Sequence, residues 1–329
     1  MEPISLISNN AYQIPWIIVQ YYAYFMKDIP VDECRDQEVR AQRLCKLLPN
    51  YDICVLQEIW GSQTHTVSQC LQNYHKPDRL DDFVWNGIYD WGADYWNLAK
   101  SFMRQNGGLY FASKPDLPIV WYHHHTFEYN VGETMANKSL GLTLLNMKNR
   151  WGPDKYLLVL NVHYNSPQPF GDTDVRNVQR LETRDVLRSL QDNLYPIGFR
   201  WNNCGVVFVG DFNVSHRYSD GNVTSEYTKL VNFFTPPNLP MRNLREEMGK
   251  AGYQELHTFS VLNTYIPEKI WDECSTIDYI FALDHLPTSD GFVKTMRLKA
   301  TKVEILQQLP HRECSDHYPL TAIIIPDTN

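Results

Sequence analysis

Residues 206–213 read Val-Val-Phe-Val-Gly-Asp-Phe-Asn, a short apolar run that leads directly into an acid and an amide. Asp211 and Asn213 are two positions apart, so in an extended segment both side chains point to the same side. An acid plus an amide can hold a metal-bound water and a phosphate oxygen, and Gly210 permits a tight approach of the chain. A plain turn explains the same letters equally well, so the interpretation needs support from the rest of the chain.

The same pattern, an apolar run that ends in polar residues able to bind a metal, recurs elsewhere. Its other instances are Asn9-Asn10 after Ile4–Ser8, Gln57-Glu58 after Ile53–Leu56, and His163 after Leu157–Val162. Loops at strand ends are where a rigid scaffold carries chemistry. Several separate strands that each deliver such a group indicate one shared site.

Short β-rich runs and a few helical patterns extend over the 329 residues. The predicted strands are Ile4–Ser8, Ile53–Gln57, Gly108–Ala112, Ile119–Tyr122, Leu140–Met147, Tyr156–Val162, Val206–Val209, Thr276–Ala282 and Leu320–Ile325. The predicted helices are Gln37–Leu48 and Thr173–Leu194. Many strands with few helices predict an α/β sandwich of two sheets. With 43% hydrophobic and 21% charged residues and no repeat or linker, we expect one catalytic domain over residues 1–329.

Glu58 follows an apolar run and precedes Ile59-Trp60. A glutamate rarely lies at the end of a buried strand without a partner. Mg²⁺ is a natural partner, because this hard cation prefers carboxylate oxygens and keeps several waters. An ordinary surface glutamate after a strand is the alternative.

Two acids and a histidine near the C-terminus form a second candidate group. Histidine is suited to proton transfer near neutral pH, and Asp316 beside His317 offers a carboxylate on the metal side. Asp278 lies inside the strongly apolar run Thr276–Ala282, where a buried acid needs a partner. We therefore expect a hydrogen bond between Asp278 and His317 that orients the imidazole.

The net charge and the cysteines limit the classes of function. The formal net charge is −8, whereas a protein that binds nucleic acid usually presents a basic face, so no obligate nucleic-acid partner is expected. The seven cysteines contain no CxxC pair and read best as free thiols, with one or two disulfides left open. The N-terminus does not resemble a signal peptide and no run is long enough to span a bilayer. These features favour a cytoplasmic or peripheral membrane location, with secretion as the alternative if an upstream signal was removed.

The order of the polar groups is Asn10, Glu58, His163, Asp211 and Asn213, Asp278, and Asp316 and His317. In this order, and over nearly the whole chain, they resemble the endonuclease/exonuclease/phosphatase superfamily. The resemblance implies a deoxyribonuclease-I-like fold, which is a four-layered sandwich of two β-sheets flanked by helices. It also implies a site in a cleft at one edge of the sandwich.

Finer motifs resemble the neutral sphingomyelinases and bacterial sphingomyelinase C within that superfamily. They are Asn10-Ala-Tyr-Gln-Ile-Pro-Trp16, Leu56-Gln-Glu-Ile-Trp60, Gly107-Gly-Leu-Tyr-Phe-Ala-Ser-Lys114, Ala136-Asn-Lys138-Ser and Asn161-Val-His163. Ser139 stands where the sphingomyelinases usually have glycine, and this departure concerns the local loop and not the predicted metal ligands.

The resemblance implies a metal-dependent phosphodiesterase that hydrolyses sphingomyelin to ceramide and phosphocholine by in-line attack of water. It implies Mg²⁺ as the cofactor, with Mn²⁺ as a substitute. The metal ligands that follow from the resemblance are Glu58, Asn10 and Asp316.

The resemblance also assigns catalytic roles. His317, oriented by Asp278, would activate the water. Asp211 and Asn213 would position the water and the phosphate, and His163 would donate a hydrogen bond to the pentacovalent species.

The segment Ile14–Met26 is apolar and aromatic, with Gln20 as its only strongly polar residue. A buried core segment is one reading, and a surface beside the site that rests on a membrane is the other, since Trp and Tyr favour the lipid interface. Candidate membrane or substrate contacts are Tyr12, Trp16 and Lys138. We expect a phospholipid at a membrane surface as the partner, and the sequence identifies no protein partner.

The main alternative is a nuclease or deadenylase of the same superfamily that cleaves nucleic-acid phosphodiesters. Thr276-Ile-Asp-Tyr-Ile-Phe resembles the poly(A)-removing branch, whereas the acidic charge and the apolar opening argue against it. An inactive binding module is disfavoured because the acid, amide and imidazole groups are all present. An inositol-phosphate phosphatase would need a basic pocket, which no run of the sequence suggests.

Overall fold

The computed structural model describes residues 1–13, 37–59, 63–77, 108–128, 138–166, 173–194, 199–218, 221–248, 257–259, 275–308 and 314–328. The segment Ile14–Met26, with Trp16, lies outside the described residues. Tyr12 lies in a described strand, but only its backbone is considered. None of the described helices is long and apolar enough to cross a membrane.

The described elements comprise strands β1 to β13 and helices α1 to α6. The strands are β1 Ile4–Gln13, β2 Ile53–Ile59, β3 Tyr110–Ser113, β4 Ile119–Thr126, β5 Ser139–Asn146, β6 Tyr156–His163, β7 Cys204–Asp211, β8 Arg242–Asn243, β9 Asp278–Ala282, β10 His285–Thr288, β11 Gly291–Lys294, β12 Leu298–Ile305 and β13 Leu320–Pro326. The helices are α1 Gln37–Leu47, α2 Gln63–Cys70, α3 Lys148–Trp151, α4 Thr173–Leu194, α5 Ser225–Phe233 and α6 Leu244–Glu247.

The strands form two mixed sheets and a separate hairpin. The five-stranded sheet has the order β12-β13-β1-β2-β3, and the six-stranded sheet has the order β4-β5-β6-β7-β9-β8. The β1–β2 pair and the β6–β7 pair are parallel, and the other pairs are antiparallel. The predicted sandwich of two sheets is therefore confirmed.

Three apolar cores define four layers. One core lies between the sheets, where Ile4 and Leu6 of β1 meet Val207 and Val209 of β7. A second core lies between the six-stranded sheet and helices α4 and α5, and a third lies between the five-stranded sheet and helices α1 and α2. The helices thus cover the outer faces of both sheets, as the deoxyribonuclease-I-like resemblance implied.

The side chains that face the space between the sheets change from apolar to polar at one end of the sandwich. Because side chains alternate along a strand, Ser8 and Asn10 follow Ile4 and Leu6 on the same face of β1. The same change occurs from Val55 to Gln57 in β2, from Val159 to Asn161 and His163 in β6, from Val209 to Asp211 in β7, and from Ile280 to Asp278 in β9. The sheets therefore deliver their polar groups to a common end.

Several predicted strand boundaries are wrong, and β1, β2 and β7 are longer than predicted. The first strand does not end at Ser8, since β1 continues to Gln13 and contains Asn10. In the same way β2 contains Glu58 and β7 contains Asp211. Asp278 begins β9 rather than lying inside a strand. Asn10, Glu58, His163, Asp211 and Asp278 thus lie at the ends of strands, whereas Asn213, Asp316 and His317 lie in the segments beyond them.

The five cysteines that the structure describes are free thiols, namely Cys45, Cys54, Cys70, Cys204 and Cys314. This agrees with the preferred sequence interpretation for these five residues.

Candidate active site

The candidate site lies between the two sheets, at the end where the inward-facing side chains are polar. The five-stranded sheet contributes Asn10 and Glu58, and the chain that enters β13 contributes His317. The six-stranded sheet contributes His163 and Asp211 in register on neighbouring strands, and the register pairs Asp211 with Asp278 of β9. The sequence-predicted residues are therefore brought together from both sheets.

Asp211 connects groups from both sheets. Its Oδ2 atom accepts a hydrogen bond from Asn10 Nδ2 at 3.1 Å. The same oxygen lies 3.6 Å from His163 Nε2 and 4.0 Å from His317 Nε2. His163 Nε2 lies 3.4 Å from Glu58 Oε1. Two imidazoles, one amide and two carboxylates therefore surround a small common volume.

His317 and Asp278 form the pair that the sequence predicted. The Asp278 carboxylate Oδ2 lies 2.8 Å from His317 Nδ1, and both residues are buried. Thr258 Oγ1 accepts a hydrogen bond from the Asp278 backbone N–H at 3.2 Å, which holds the start of β9. With Nδ1 engaged, Nε2 is the imidazole nitrogen that faces Asp211.

The segment that carries His317 is attached to β1. The Ser315 hydroxyl donates to the backbone carbonyl of Asn10, and Asn9 Nδ2 donates to the His317 carbonyl at 3.3 Å. Ser315 Oγ also lies 2.9 Å from Asp316 Oδ1. These bonds fix the imidazole relative to the five-stranded sheet, and the sequence analysis assigned no role to Asn9 or Ser315.

Unusual backbone geometry aims two of the site side chains. Glu58 has φ 52°, in the left-handed region that non-glycine residues rarely adopt. Regular alternation would point Glu58 away from Gln57 and out of the inter-sheet space, so this twist explains how its carboxylate reaches His163. Asn213 has φ 51°, and its backbone N–H donates to Asp211 Oδ1 at 2.8 Å.

Gly210 is required by the packing of β6 against β7. Its φ is 133°, and a Cβ atom at this position would lie 2.1 Å from the Val162 carbonyl oxygen. The sequence analysis expected a tight approach at this glycine, and the structure shows that the close neighbour is the adjacent strand.

Lys138 lies inside the site. Its side chain is buried, and Nζ lies 2.6 Å from His163 Nε2 and 3.9 Å from Glu58 Oε1. The burial of this side chain gives no support to a membrane contact of Lys138, which stays a prediction. A role in contacting the substrate stays a prediction.

The buried carboxyls raise one another's proton affinity. Burial raises the pKa of Glu58 to about 7 against the opposing charge of Lys138, and Asp316 and Asp211 add to the rise. Burial, and after it the negative charge of Asp278, raise the pKa of Asp211 to about 7. Burial likewise raises the pKa of Asp316. The positive charges of the protein alone therefore offset the negative charge of these carboxylates poorly.

The two imidazoles are perturbed in opposite directions. Burial would lower the pKa of His317, but the carboxylates of Asp278, Asp316 and Asp211 together hold it well above the usual range for histidine. Burial and the ammonium of Lys138 hold the pKa of His163 well below that range. Opposed shifts of neighbouring groups are common in active sites.

The residues present fit a divalent cation. One ligand atom from each of Asp211, Asp278 and His317 lies within 4.8 Å of the others. The buried Oδ1 atom of Asp278 has no hydrogen-bond partner among the described residues. Carboxylate oxygens are the donors that hard cations prefer. The three residues of this group were predicted to be catalytic and not to be metal ligands. The assignment of Glu58, Asn10 and Asp316 as the metal ligands stays a prediction.

We expect Glu58→Gln to raise the concentration of Mg²⁺ needed for half-maximal activity by roughly tenfold or more. Loss of even an outer-sphere partner weakens metal affinity by about 10–100-fold, and a direct ligand should cost at least as much. The measurement is a titration of activity with Mg²⁺, together with a melting curve that shows a native fold.

The matched control for this substitution is Glu182→Gln. The Glu182 carboxylate also contacts a histidine, since its Oε2 atom lies 3.0 Å from His125 Nε2. Glu182 belongs to helix α4, away from the site. Its Mg²⁺ dependence should remain that of the unsubstituted protein. Near-normal turnover of Glu58→Gln at limiting Mg²⁺ would show that Glu58 does not hold the cation.

The four-layered sandwich, with a cation-competent site between its sheets, places the protein among the deoxyribonuclease-I-like hydrolases. The chain belongs to the Endonuclease/Exonuclease/phosphatase family, whose family model matches residues 35–317. Enzymes of this superfamily are metal-dependent phosphoric diester hydrolases. No curated protein matches the chain.

Solved structures of similar fold cover nearly the whole chain. TDP2 from D. rerio, complexed with a single strand DNA product, is 13% identical with a TM-score of 0.59, over 99% of this chain and 100% of that chain. SmcL is 16% identical with a TM-score of 0.59, over 99% of each chain. Sphingomyelinase C from Streptomyces griseocarneus is 15% identical with a TM-score of 0.56, over 98% of this chain and 99% of that chain. At these identities the similarity supports the fold and leaves the substrate undetermined.

Proposed function

We propose that the protein is a divalent-cation-dependent phosphodiesterase that hydrolyses a sphingomyelin-type phospholipid to ceramide and phosphocholine. The observation that carries this choice is the charge of the site. Four carboxylates shape the electrostatics of the site, against the positive charges of Lys138 beside Glu58 and of Arg40 acting on Asp316. The carboxylates are Glu58, Asp211, Asp278 and Asp316.

A site of this charge favours a substrate that adds little negative charge. A choline phospholipid is zwitterionic, so its cationic headgroup offsets its single phosphodiester charge. A nucleic-acid strand brings a row of phosphates, which proteins usually meet with a basic face. The net charge of −8 and the sphingomyelinase-like motifs around Asn10 and Glu58 support the lipid over the strand.

In the proposed reaction each side chain has a role that follows from its position in the site. His317 Nε2, with Nδ1 held by Asp278, takes the proton of the attacking water. Asp211 and Asn213 orient the water and the phosphate. His163 and Lys138 lie beside them, where positive charge or a donated hydrogen bond stabilises the negative charge that develops on the phosphate oxygens.

A divalent cation would supply Lewis-acid polarisation of the phosphate and would offset the carboxylates that raise the pKa of His317. Mg²⁺ is the proposed ion, with Mn²⁺ as a substitute, and Glu58, Asn10 and Asp316 are the proposed ligands. The oxygen-rich donor set is the support for this choice.

The second candidate is cleavage of nucleic-acid phosphodiesters. The whole-chain fold similarity to D. rerio TDP2 supports it as strongly as the similarity to sphingomyelinase C supports the lipid. The fold therefore cannot separate the two substrates, and an activity measurement can.

We expect release of phosphocholine from sphingomyelin vesicles with Mg²⁺, and none with EDTA. Single-stranded DNA, single-stranded RNA and a lysophospholipid should be cleaved far more slowly under the same conditions. Glu58→Gln serves as the control against a contaminating activity. Metal-dependent cleavage of nucleic acid without cleavage of sphingomyelin would overturn the proposed substrate.

A soluble choline phosphodiester belongs in the same panel, because it separates catalysis from attachment to a membrane. The proposed membrane contact is the segment Ile14–Met26, whose support is its apolar and aromatic sequence. Cleavage of vesicles in excess of the soluble compound, lost in Trp16→Ala, would support attachment through this segment.

A further inference from the structure

We infer that Asn161 is a positioning residue, which fixes the separation of the two sheets at the site through Gln57. The inference rests on the proposed phosphodiesterase activity but not on the identity of its substrate. It starts from the division of the site, because Asn10 and Glu58 belong to one sheet and His163 and Asp211 to the other. A small change in the distance between the sheets would move these two halves apart.

Among the described residues, the hydrogen bonds of the Asn161 carboxamide run to the opposite sheet. Asn161 lies on β6, and its Oδ1 atom accepts from Gln57 Nε2 at 2.7 Å. Its Nδ2 atom donates to the Leu56 carbonyl at 3.1 Å and to the Tyr110 carbonyl at 3.3 Å. Gln57 and Leu56 belong to β2, and Tyr110 to β3. One side chain therefore connects three residues of the five-stranded sheet to the six-stranded sheet.

The connection lies directly beneath the site. Asn161 is two residues from His163 on the same face of β6. Gln57 precedes Glu58 and is in register with Asn10 of β1. A shift of either partner is thus transmitted over one or two residues to a group that the site needs.

The requirements of stability do not explain an amide at this position. Asn161 is 3% exposed and Gln57 is fully buried, and both lie next to the apolar core. Replacement of both partners of a buried hydrogen bond by apolar groups of similar shape is often nearly neutral for stability. In addition, the buried Gln57 Oε1 atom has no hydrogen-bond partner among the described residues, which is a cost to the folded state.

Hydrogen bonds do supply something that apolar packing does not. Donor and acceptor must meet within a few tenths of an ångström and with the correct direction, whereas apolar side chains tolerate sliding. A connection of three buried bonds therefore sets both the gap and the register of the sheets. A site assembled from both sheets needs both quantities fixed to well under 1 Å.

The test is Asn161→Leu, which keeps the branched shape of the side chain and removes all three bonds. On whichever substrate the unsubstituted protein cleaves, we expect kcat to fall by roughly 10–100-fold and half-maximal activation to require more Mg²⁺, as for loss of an outer-sphere partner. The melting temperature should fall, as in the control variant described below, because Gln57 Nε2 is left buried without its acceptor, and KM should change little. If the protein cleaves no sphingomyelin, only the proposed substrate fails, and the same comparison proceeds on the nucleic acid.

Two further variants keep the test decisive. Gln57→Leu removes one of the three bonds and should give a smaller loss of kcat. The double substitution of Asn161 and Gln57 by leucine should lower kcat by less than the product of the two single effects. Asn243→Leu is the matched control, because Asn243 is a buried amide bonded to Tyr227 and to the backbone of Arg245, away from the space between the sheets. This control should lower the melting temperature and preserve kcat and Mg²⁺ dependence.

The inference is overturned if Asn161→Leu keeps kcat and Mg²⁺ dependence within about twofold of the unsubstituted protein. It is also overturned if activity falls only in proportion to the loss of folded protein. Should Asn161→Leu fail to fold, Gln57→Leu carries the same comparison, and an unchanged kcat in that variant contradicts the inference.

Discussion

Replacement of His317 by alanine is expected to lower kcat by roughly 10²–10⁴-fold with little change in KM, which is the range for loss of a general base. The reason is its position: Nε2 faces the Asp211 carboxylate while Nδ1 is held by Asp278 at 2.8 Å. Steady-state kinetics on vesicles and on a soluble phosphodiester measure both parameters. Asp278→Asn should give a smaller loss, because it misorients the imidazole without removing it.

His216→Ala is the control for the removal of a buried histidine. His216 is as buried as His317, and its Nε2 atom also contacts a carboxylate, Glu246 Oε1, at 2.9 Å. It lies beyond the cluster around Asp211, so its loss should lower stability and leave kcat within a few-fold. An unchanged kcat in His317→Ala would mean that another group takes the proton from water.

Gly210→Ala is expected to lower the free energy of unfolding by about 3 kcal/mol or more, or to prevent folding. Two effects combine, since φ is 133° and the new Cβ atom would lie 2.1 Å from the Val162 carbonyl oxygen. Backbone atoms of a central parallel pair cannot move aside as a flexible side chain can. Urea unfolding followed by circular dichroism measures the loss.

Gly152→Ala separates the two effects. Gly152 has φ 101°, but a Cβ atom there would meet nothing within 4 Å. Only the conformational cost should remain, about 1–2 kcal/mol. Equal destabilisation of the two variants would show that the close approach of β6 and β7 is not the cause.

The apolar strand cores could be predicted from the sequence because they form short β-rich runs with little competing helical signal. Their ends could not, because the last inward-facing residues are polar. Asn10, Glu58 and Asp211 interrupt the apolar pattern at the point where the strand continues. These polar site residues are therefore the reason why the predictions of β1, β2 and β7 were too short.

Edge elements were missed for a different reason. β12 lies at the edge of its sheet, is exposed at several positions and carries a bulge between Ala300 and Lys302, so neither strict alternation nor a continuous apolar run marks it. Helix α5 has a cap signal, Thr224, whose hydroxyl accepts from the Tyr227 N–H, and this signal could have located its start.

The sequence predicted which residues form the site better than it predicted the hydrogen bonds and contacts between them. The hydrogen bond between Asp278 and His317 was expected, because a buried acid needs a partner. The contact of Lys138 with His163 and the bonds of Asn161 were not, since they join residues whose proximity follows from the pairing of strands and sheets. The left-handed backbone at Glu58 has no signal in the sequence either.

The raised pKa values of Glu58 and Asp211 make the metal-free protein less stable at neutral pH than in acid. Both carboxyls hold their protons more tightly in the folded protein than in the unfolded chain, with folded values of about 7. Without a cation, their contribution to stability is therefore greatest in acid and is lost as the pH rises through about 7. At neutral pH the metal-free protein carries repulsion that the unfolded chain avoids. A cation that binds only the folded state relieves this repulsion and shifts the equilibrium toward folding, so the cation would raise the melting temperature of the protein as well as supporting its turnover.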